Sequence, residues 1–434
     1  MAATFDVIVI GDDAPSLCAA AAAAQAGADT ALAATGAVTY GGPSVCDIPN
    51  AIWRRLDLQA FGLDTEPVSA RVTLFADGKS TITHALPDDT IEALRECDPD
   101  AAAIWPAMTD EMRALGETDF TAAAGGAAPA LAMLDTARSF KDLGFLTGSG
   151  AELVEDYVNG GPLNTHINAH ALAPFGLGGD EAGSAAALPD FFDEHAWRVR
   201  AKSGARSIIG ALRKACDHHG VDAMPTGVEL AIADGARHNN IILNSGEKIR
   251  TRHIFFACPA AAEAAGYDNG DSHAPVNGAH AVMRIKLRDR VDPPAGDAGA
   301  FFQIVDRTGE MKEARDAAIM GRISEALPVQ FEFTDKGDII ARSSYIPMRL
   351  QEEGEWRDWT GQDRQLLASA IVNRLASRIG GLHEHIKKTD LKIVTRNSAG
   401  ERKFAGAQNV TLQPRRHNAI AAAVALIDTV LSHD

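Results

Sequence analysis

Asp6-Val7-Ile8-Val9-Ile10-Gly11-Asp12-Asp13-Ala14-Pro15-Ser16 is the stretch that decides the fold. The apolar run Val7 to Ile10 reads as a buried parallel strand, and Gly11 turns it sharply. A helical run from Ser16 to Ala26 follows, Gly27 closes it, and a second short strand reaches Ala34. Strand, glycine turn, helix and strand make the βαβ unit that holds dinucleotides. In that unit the turn reads G-x-G-x-x-G and an acidic residue ends the second strand. Here Asp13 stands at the second glycine position, Ser16 at the third and Ala34 at the acidic one. The scaffold is kept while the ligand chemistry is replaced.

Each replacement has a physical consequence. The second glycine lets the backbone approach a pyrophosphate, whose charge the helix N-terminus then stabilises. Asp13 puts a side chain where that clearance is needed. Asp12 and Asp13 also bring up to two negative charges to a helix end that otherwise welcomes phosphate. Two like charges about 4 Å apart repel by roughly 1 kcal/mol in water and several-fold more near a protein surface. Ala34 cannot hydrogen-bond a ribose hydroxyl. Simple capping of the helix by Asp12 and Asp13 is the plainer role, and it too implies an empty or altered phosphate site.

The chain has 434 residues, enough for two domains or one discontinuous pair. A hydrophobic fraction of 46% and a charged fraction of 23% are those of an ordinary globular protein. With 41 Lys and Arg against 58 Asp and Glu the net charge is −17, which argues against nucleic acid or an anionic membrane surface as a general partner. No apolar run of about 18 residues is present, so no transmembrane helix is expected. A signal peptide is not expected either, because no basic region precedes the first strand. Five scattered cysteines (Cys18, Cys46, Cys97, Cys216, Cys258) without a C-x-x-C fit reduced thiols and a cytoplasmic location.

Beyond the first unit come Gly41-Gly42-Pro43 and a helical stretch from Ala51 to Ala60. Arg71 to Phe75 and Ser80 to His84 flank Asp77-Gly78 as a hairpin. Pro87 to Leu115 reads as helical, broken at Asp98-Pro99, and Thr121 to Ala132 as a loop or linker. A mostly helical middle runs from Met133 to about Phe192, and an amphipathic helix from Ile208 to Cys216 ends at His218-His219-Gly220. Val221 to Met224, Gly227 to Ala233, Ile241 to Leu243 and Ile249 to Ala257 predict a β-meander that returns to a central sheet. Strands and polar loops are expected from Ala281 to Tyr345, and an amphipathic helix from Gln362 to Ile379. A last strand spans Asn409 to Leu412, and a last helix Asn418 to Leu431.

This order of elements resembles the flavin-dependent phytoene-desaturase and amine-oxidase superfamily. The branch it is most similar to is that of pyridine nucleotide-disulfide oxidoreductase domain-containing protein 2. The matching residues are Asp6 to Gly11 with Ala26-Gly27, the doublet Gly41-Gly42, and Leu56-Asp57-Leu58 with Phe61-Gly62-Leu63. Gly176-Leu177-Gly178 with Glu181-Ala182-Gly183-Ser184, Lys202-Ser203-Gly204 and Gly220-Val221 complete the set. The resemblance implies an α/β fold: a Rossmann-like FAD-binding domain of the glutathione-reductase type with a β-meander, plus a discontinuous α+β substrate-type domain. It places the first in residues 1–70, 200–275 and 400–434, and the second in 71–199 and 276–399. The implied FAD positions are Gly11, Asp12, Asp13, Ser16, Ala34, Gly41 and Gly42. The family ends on a strand and a glycine-rich turn that cover the flavin, where this chain has Gln413-Pro414-Arg415-Arg416-His417.

Other residues carry weaker signals. His166 and His170, four apart, suit either a metal site or an ordinary polar helix face. His383 and His385 would lie about 200° apart on a helix. His218-His219 complements a helix C-terminus. Cys18, beside Ala19 to Ala24, reads as core packing, and Cys46 falls where a flavin ring lies in a relative. Arg415-Arg416-His417 suits an anion site, pairing with Asp12 and Asp13, or plain solvent exposure. The expectation is a non-catalytic structural or regulatory subunit without its own cofactor or metal. It would pair with an intact flavoprotein paralogue or with itself. An active FAD-dependent oxidoreductase with atypical cofactor binding, and a small-molecule binder reusing the emptied cleft, are the alternatives.

Overall fold

The computed structural model describes residues 4–34, 45–46, 50–117, 147–173, 176–192, 199–203, 205–224, 231–233, 239–242, 248–256, 279–394 and 410–412. In chain order the elements begin with β1 (Thr4–Ile10), α1 (Ala14–Gln25), β2 (Thr30–Ala33), β3 (Val45–Cys46) and α2 (Asn50–Arg55). Strands β4 (Thr65–Pro67), β5 (Ala70–Leu74) and β6 (Ser80–His84) precede helices α3 (Pro87–Cys97) and α4 (Pro99–Glu117). Then come α5 (Gly150–Glu155), α6 (Gly161–Leu172), α7 (Pro189–Phe192), β7 (Val199–Ala201) and α8 (Ala205–His219). Strands β8 (Asp222–Met224), β9 (Ala231–Ala233), β10 (Asn239–Ile242), β11 (Lys248–Phe256), β12 (Ala279–Leu287) and β13 (Phe301–Ile304) follow. The rest is α9 (Gly309–Ile319), β14 (Val329–Phe333), β15 (Ile339–Ile346), β16 (Leu350–Glu352) and β17 (Glu355–Arg357). Last come α10 (Gly361–Ala376), α11 (Leu382–His385), β18 (Ile386–Val394) and β19 (Val410–Leu412).

The chain divides into two compact units. The first holds Met1–Glu66, Arg198–Pro275 and Arg396–Asp434; the second holds Pro67–Trp197 and Val276–Thr395. In the first unit β8, β2, β1 and β11 lie parallel in that order. Strand β11 is nine residues long and divides one of its edges. Its first half pairs antiparallel with β10, and its second half pairs parallel with β19, Ile254 opposite Val410. A β9-β10-β11 meander thus feeds its last strand back into the parallel sheet. Val221 to Met224, expected in that meander, instead provides β8, a parallel strand beside β2. Three residues (Asp222–Met224) are too short a run for pattern alone to tell a meander edge from a parallel edge.

Helix α1 is buried over nearly its whole length, with Leu17 to Ala23 fully inaccessible. It lies in one core with Val7 and Val9 of β1 and Ile208, Leu212, Ala215 and Cys216 of α8. A helix apolar on all sides is one packed on all sides, and alanine lets its backbone approach both neighbours. Enlarging Ala20 to Leu would overpack that core at a cost of about 1–3 kcal/mol.

In the second unit seven strands run in the order β18-β12-β15-β14-β13-β5-β6. Strands β5 and β6 form the expected hairpin, Val72 opposite Ile82. Alternate side chains on a strand point to opposite faces. Phe302, Ile304, Val329, Phe331, Phe333, Ile339 and Ala341 share a core with Leu367, Ile371 and Leu375 of α10. That helix opens on a capping box in which Thr360 and Asp363 satisfy each other's backbone N–H groups. The intervening residues Phe301, Gln303, Gln330, Glu332 and Arg342 therefore face the other way. Helix α9 and strand β18 were not expected from the sequence. The buried residues of α9 are Glu310, Met311, Ala314 and Ala318, so its apolar stripe is mostly small and shows weakly in the pattern.

Candidate functional site

At the glycine turn Gly11 has φ 134°, a conformation that favours glycine, and its N–H donates to Ala33 O at 2.9 Å. The chain then enters α1 with Asp13 as N-cap, whose Oδ1 accepts from Ser16 N at 2.8 Å. Asp13 is only 5% exposed, and Pro15 falls in the first helical turn, where its missing N–H costs nothing. Ser16 is fully buried and its hydroxyl donates to Ile10 O at 3.5 Å. The turn that would present free N–H groups to a pyrophosphate has one of them already bonded to its own carboxylate. A phosphate oxygen reaching that N–H would have to displace Asp13, against like charge. The donor set as built does not fit the pyrophosphate.

Asp12 adds to this. One of its carboxylate oxygens is buried with no hydrogen-bond partner among the described residues. Burial, and next the adjacent Asp13 charge, hold its carboxyl above the usual range, while Arg213 on α8 pulls it back. Arg213 was not singled out in the sequence, because nothing local marks an exposed helical arginine as the countercharge of a turn some 200 residues away in sequence (Arg213 and Asp12). Ala34 follows β2 directly and offers only a methyl group. Gly41, Gly42 and the Gln413-to-His417 segment lie outside the described residues, as do the expected loop at Thr121 to Ala132 and the last helix.

The remaining candidates resolve individually. Helix α6 is not a polar surface helix: Leu163 to Leu172 are all buried. His166 is inaccessible and bridges the hairpin, with Nδ1 2.8 Å from Thr73 Oγ1 and Nε2 2.9 Å from Thr83 Oγ1. Burial, and secondarily the charge of Arg71, push its imidazole down to about 3. The His170 ring packs against it tilted by 57°, centroids 4.7 Å apart, and also meets Phe301 at 6.0 Å. His218 and His219 sit in the last turn of α8, His218 against Phe61 at 5.2 Å. His383 and His385 fall in the four-residue α11, with His385 Nδ1 3.6 Å from Asp289. Among the described residues no cluster of three or more His, Cys, Asp or Glu could hold a metal ion. Cys18 is core-packed, and Cys46 lies in β3.

Within the second unit a cleft of about 460 Å³ opens at the start of α6. The β5–β6 turn, Glu155, Gly160 to Pro162 and Asp306 to Thr308 line it. No helix among the described residues is long and apolar enough to cross a membrane.

No protein-family model and no curated protein matches the chain. Solved structures do match it. Wild-type putrescine oxidase bound to putrescine aligns with a TM-score of 0.56 at 12% identity, covering 99% of each chain. Cyclohexylamine oxidase from Brevibacterium oxydans IH-35A gives 0.53 at 12% identity, again over 99% of each chain. RAB GDI from Plasmodium falciparum gives 0.50 at 9% identity, covering 100% of this chain and 99% of its own. The chain therefore has the α/β fold that these structures share, with a Rossmann-like parallel sheet and a mixed second sheet. Identities this low speak for the fold alone.

Proposed function

We propose that this chain is a flavoprotein-fold subunit that has given up the dinucleotide at its glycine turn and acts through an intact paralogue. In the simplest arrangement the two form a pseudo-symmetric heterodimer. The observation that carries this reading is the Asp13 cap: a carboxylate of the protein takes the Ser16 N–H that a pyrophosphate would need. Asp12 beside it, partly buried and with one carboxylate oxygen lacking a hydrogen-bond partner among the described residues, adds a second negative charge. The fold leaves the choice open in principle, since its likenesses include two oxidases and also RAB GDI, not an oxidase by name.

The full-length likeness to putrescine and cyclohexylamine oxidases favours a second reading, an active FAD-dependent oxidoreductase that holds its cofactor atypically. Flavin content separates the two. The protein is purified, denatured, and its supernatant chromatographed for flavin. Well under one flavin per chain is expected, and close to one per chain would overturn the main reading. Partnership is tested by co-purification from the native source with mass spectrometry at physiological salt. With a net charge of −17, the expected partner surface is less acidic or locally basic. A flavoprotein recovered beside the chain, over an interface above about 1,000 Å², supports the subunit role. A monomer with no flavoprotein beside it overturns that role.

A further inference from the structure

Strand β18 ends the second unit's sheet and pairs with β12 alone among the described strands. It is nine residues long, about 30 Å of edge at the usual rise per residue. An edge of that length is a template for another chain, and side-chain charge is one way such edges are guarded. Here the guard is selective. The register sets Lys388 opposite Lys286, Asp390 opposite Arg284 and Lys392 opposite Val282. Directly opposite residues share a face, and this face is turned away from the core that holds Ala281, Met283 and Ile285 of β12. Lys286, Lys388, Asp390 and Lys392 are all exposed, and no ion pair among the described residues engages them. Arg284 is already paired with Asp338 at 3.0 Å. On the other face Leu391 and Ile393 are half-buried against the core.

We propose that the β18 edge takes an acidic, extended segment of a protein partner as an added strand. The backbone groups of the edge supply the binding, and alternate side chains supply the choice of partner. An added strand sets its residues i, i+2 and i+4 on the lysine face. Acids opposite Lys388 and Lys392, with a hydroxyl opposite Asp390, complete the cross-strand pairs. Apolar residues between them fall on the side of Leu391 and Ile393. The edge of a second copy fits poorly, since each β18 carries Lys387, Lys388 and Lys392 against one acid, Asp390, and two such edges repel. A nucleic acid or an anionic membrane extends past the edge and meets a chain whose net charge is −17. A short acidic strand meets the lysines alone. The edge lies in the second unit and does not depend on what the glycine turn holds.

The probe is the blocked heptapeptide TEVSVET, carrying a neutral dye and titrated against the full chain by fluorescence anisotropy. Two controls separate charge from strand pairing. TKVSVKT reverses the charge, and TEPPVET keeps the acids but loses backbone N–H groups on both sides of the strand. TEVSVET is expected to bind about tenfold more tightly than TKVSVKT, the scale of two charged cross-strand pairs, and about tenfold more tightly than TEPPVET. Its binding should slow hydrogen exchange across Ile386–Val394, as followed by mass spectrometry. Lys388→Glu with Lys392→Glu should weaken it about tenfold. Lys79→Glu with Lys312→Glu makes an equal charge change at exposed sites elsewhere in the unit and should leave it within about twofold. If a variant loses its near-UV circular dichroism, the wild-type selectivity among the three peptides stands without it. No TEVSVET binding at about 1 mM, or equal binding of TEPPVET, would overturn the proposal. So would unchanged exchange in β18, equal weakening by both pairs of substitutions, or equal affinity for a short oligothymidylate. Full protection of β18 in the free chain would also overturn it, because a second copy or another segment would then hold the edge.

Discussion

Acid should destabilise this protein through one histidine. His166 is inaccessible, held between Thr73 and Thr83, and its imidazole is depressed from 6.5 to about 3. The unfolded chain binds a proton near pH 6.5 while the folded chain resists it until about pH 3. In that window the unfolded state binds more protons, so stability rises with pH and is lost as pH falls from 6.5 toward 3. The contribution of this group at pH 5.0 relative to pH 7.5 is RT ln(1 + 10^1.5), about 2 kcal/mol. A glutamine at this position keeps hydrogen-bonding capacity and does not titrate. His166→Gln should therefore be less stable than wild type at pH 7.5, by about 1–3 kcal/mol for the lost ring and imperfect bonding. At pH 5.0 the gap should close by about 2 kcal/mol. Urea unfolding followed by circular dichroism at both pH values measures the difference, since titrations common to both proteins cancel. Parallel pH profiles for wild type and variant would refute the argument, because they would mean that His166 is protonated when folded or already neutral when unfolded.

Three further outcomes concern the glycine turn. Asp13→Ala should lower stability by about 1–2 kcal/mol, while Asp13→Gly should cost only a few tenths, as measured by urea midpoints. Equal losses would show that Asp13 does not act as a cap. Asp12→Asn should raise the melting temperature at pH 7. Its carboxyl is held above the usual range when folded, so its penalty is full at high pH and vanishes as pH falls below the unfolded value of 3.8. A gain that persists at pH 3 would contradict this. Restoring Asp13→Gly with Ser16→Gly should not recover flavin binding, because Ala34 and the Gln413 segment stay unsuited. A low-micromolar FAD affinity in that double variant, about 8 kcal/mol, would show that the turn alone was the block.

How much of this was legible depended on how local the determinants are. The βαβ opening, the hairpin around Asp77-Gly78, the break at Asp98 and the helix ending at His219 all follow from turn residues and short periodic runs. The Asp13 cap was legible too, because N-cap, helix start and proline sit within four residues. Helix α6 was misjudged for the opposite reason. Its polar residues look like a wet surface, yet the partners of His166 lie 93 and 83 residues away in sequence. The same holds for Gln303, a single polar letter inside Phe301-Phe302-Gln303-Ile304, whose neighbour Gln330 comes from another strand. Strand register brings such neighbours together, and no window of sequence contains them.

On the proposed reading, the turn also accounts for stability without a nucleotide. In a binding turn the orphan N–H groups of the helix wait for a phosphate, and stability rises with ligand concentration by linkage. Here Asp13 supplies the negative charge from within, at an effective concentration fixed by the chain, and α1 is capped whether or not a nucleotide is present. The alanines of α1 and the apolar face of α8 pack into one core with β1. Asp12 is the cost of that solution, a second carboxylate with one oxygen unpartnered among the described residues and Arg213 as its counterweight. A carboxylate kept at such a cost is not explained by capping alone, since Asp13 already does that. Asp12 is thus the residue at which a role beyond stability, such as contact with a basic partner surface, is to be sought.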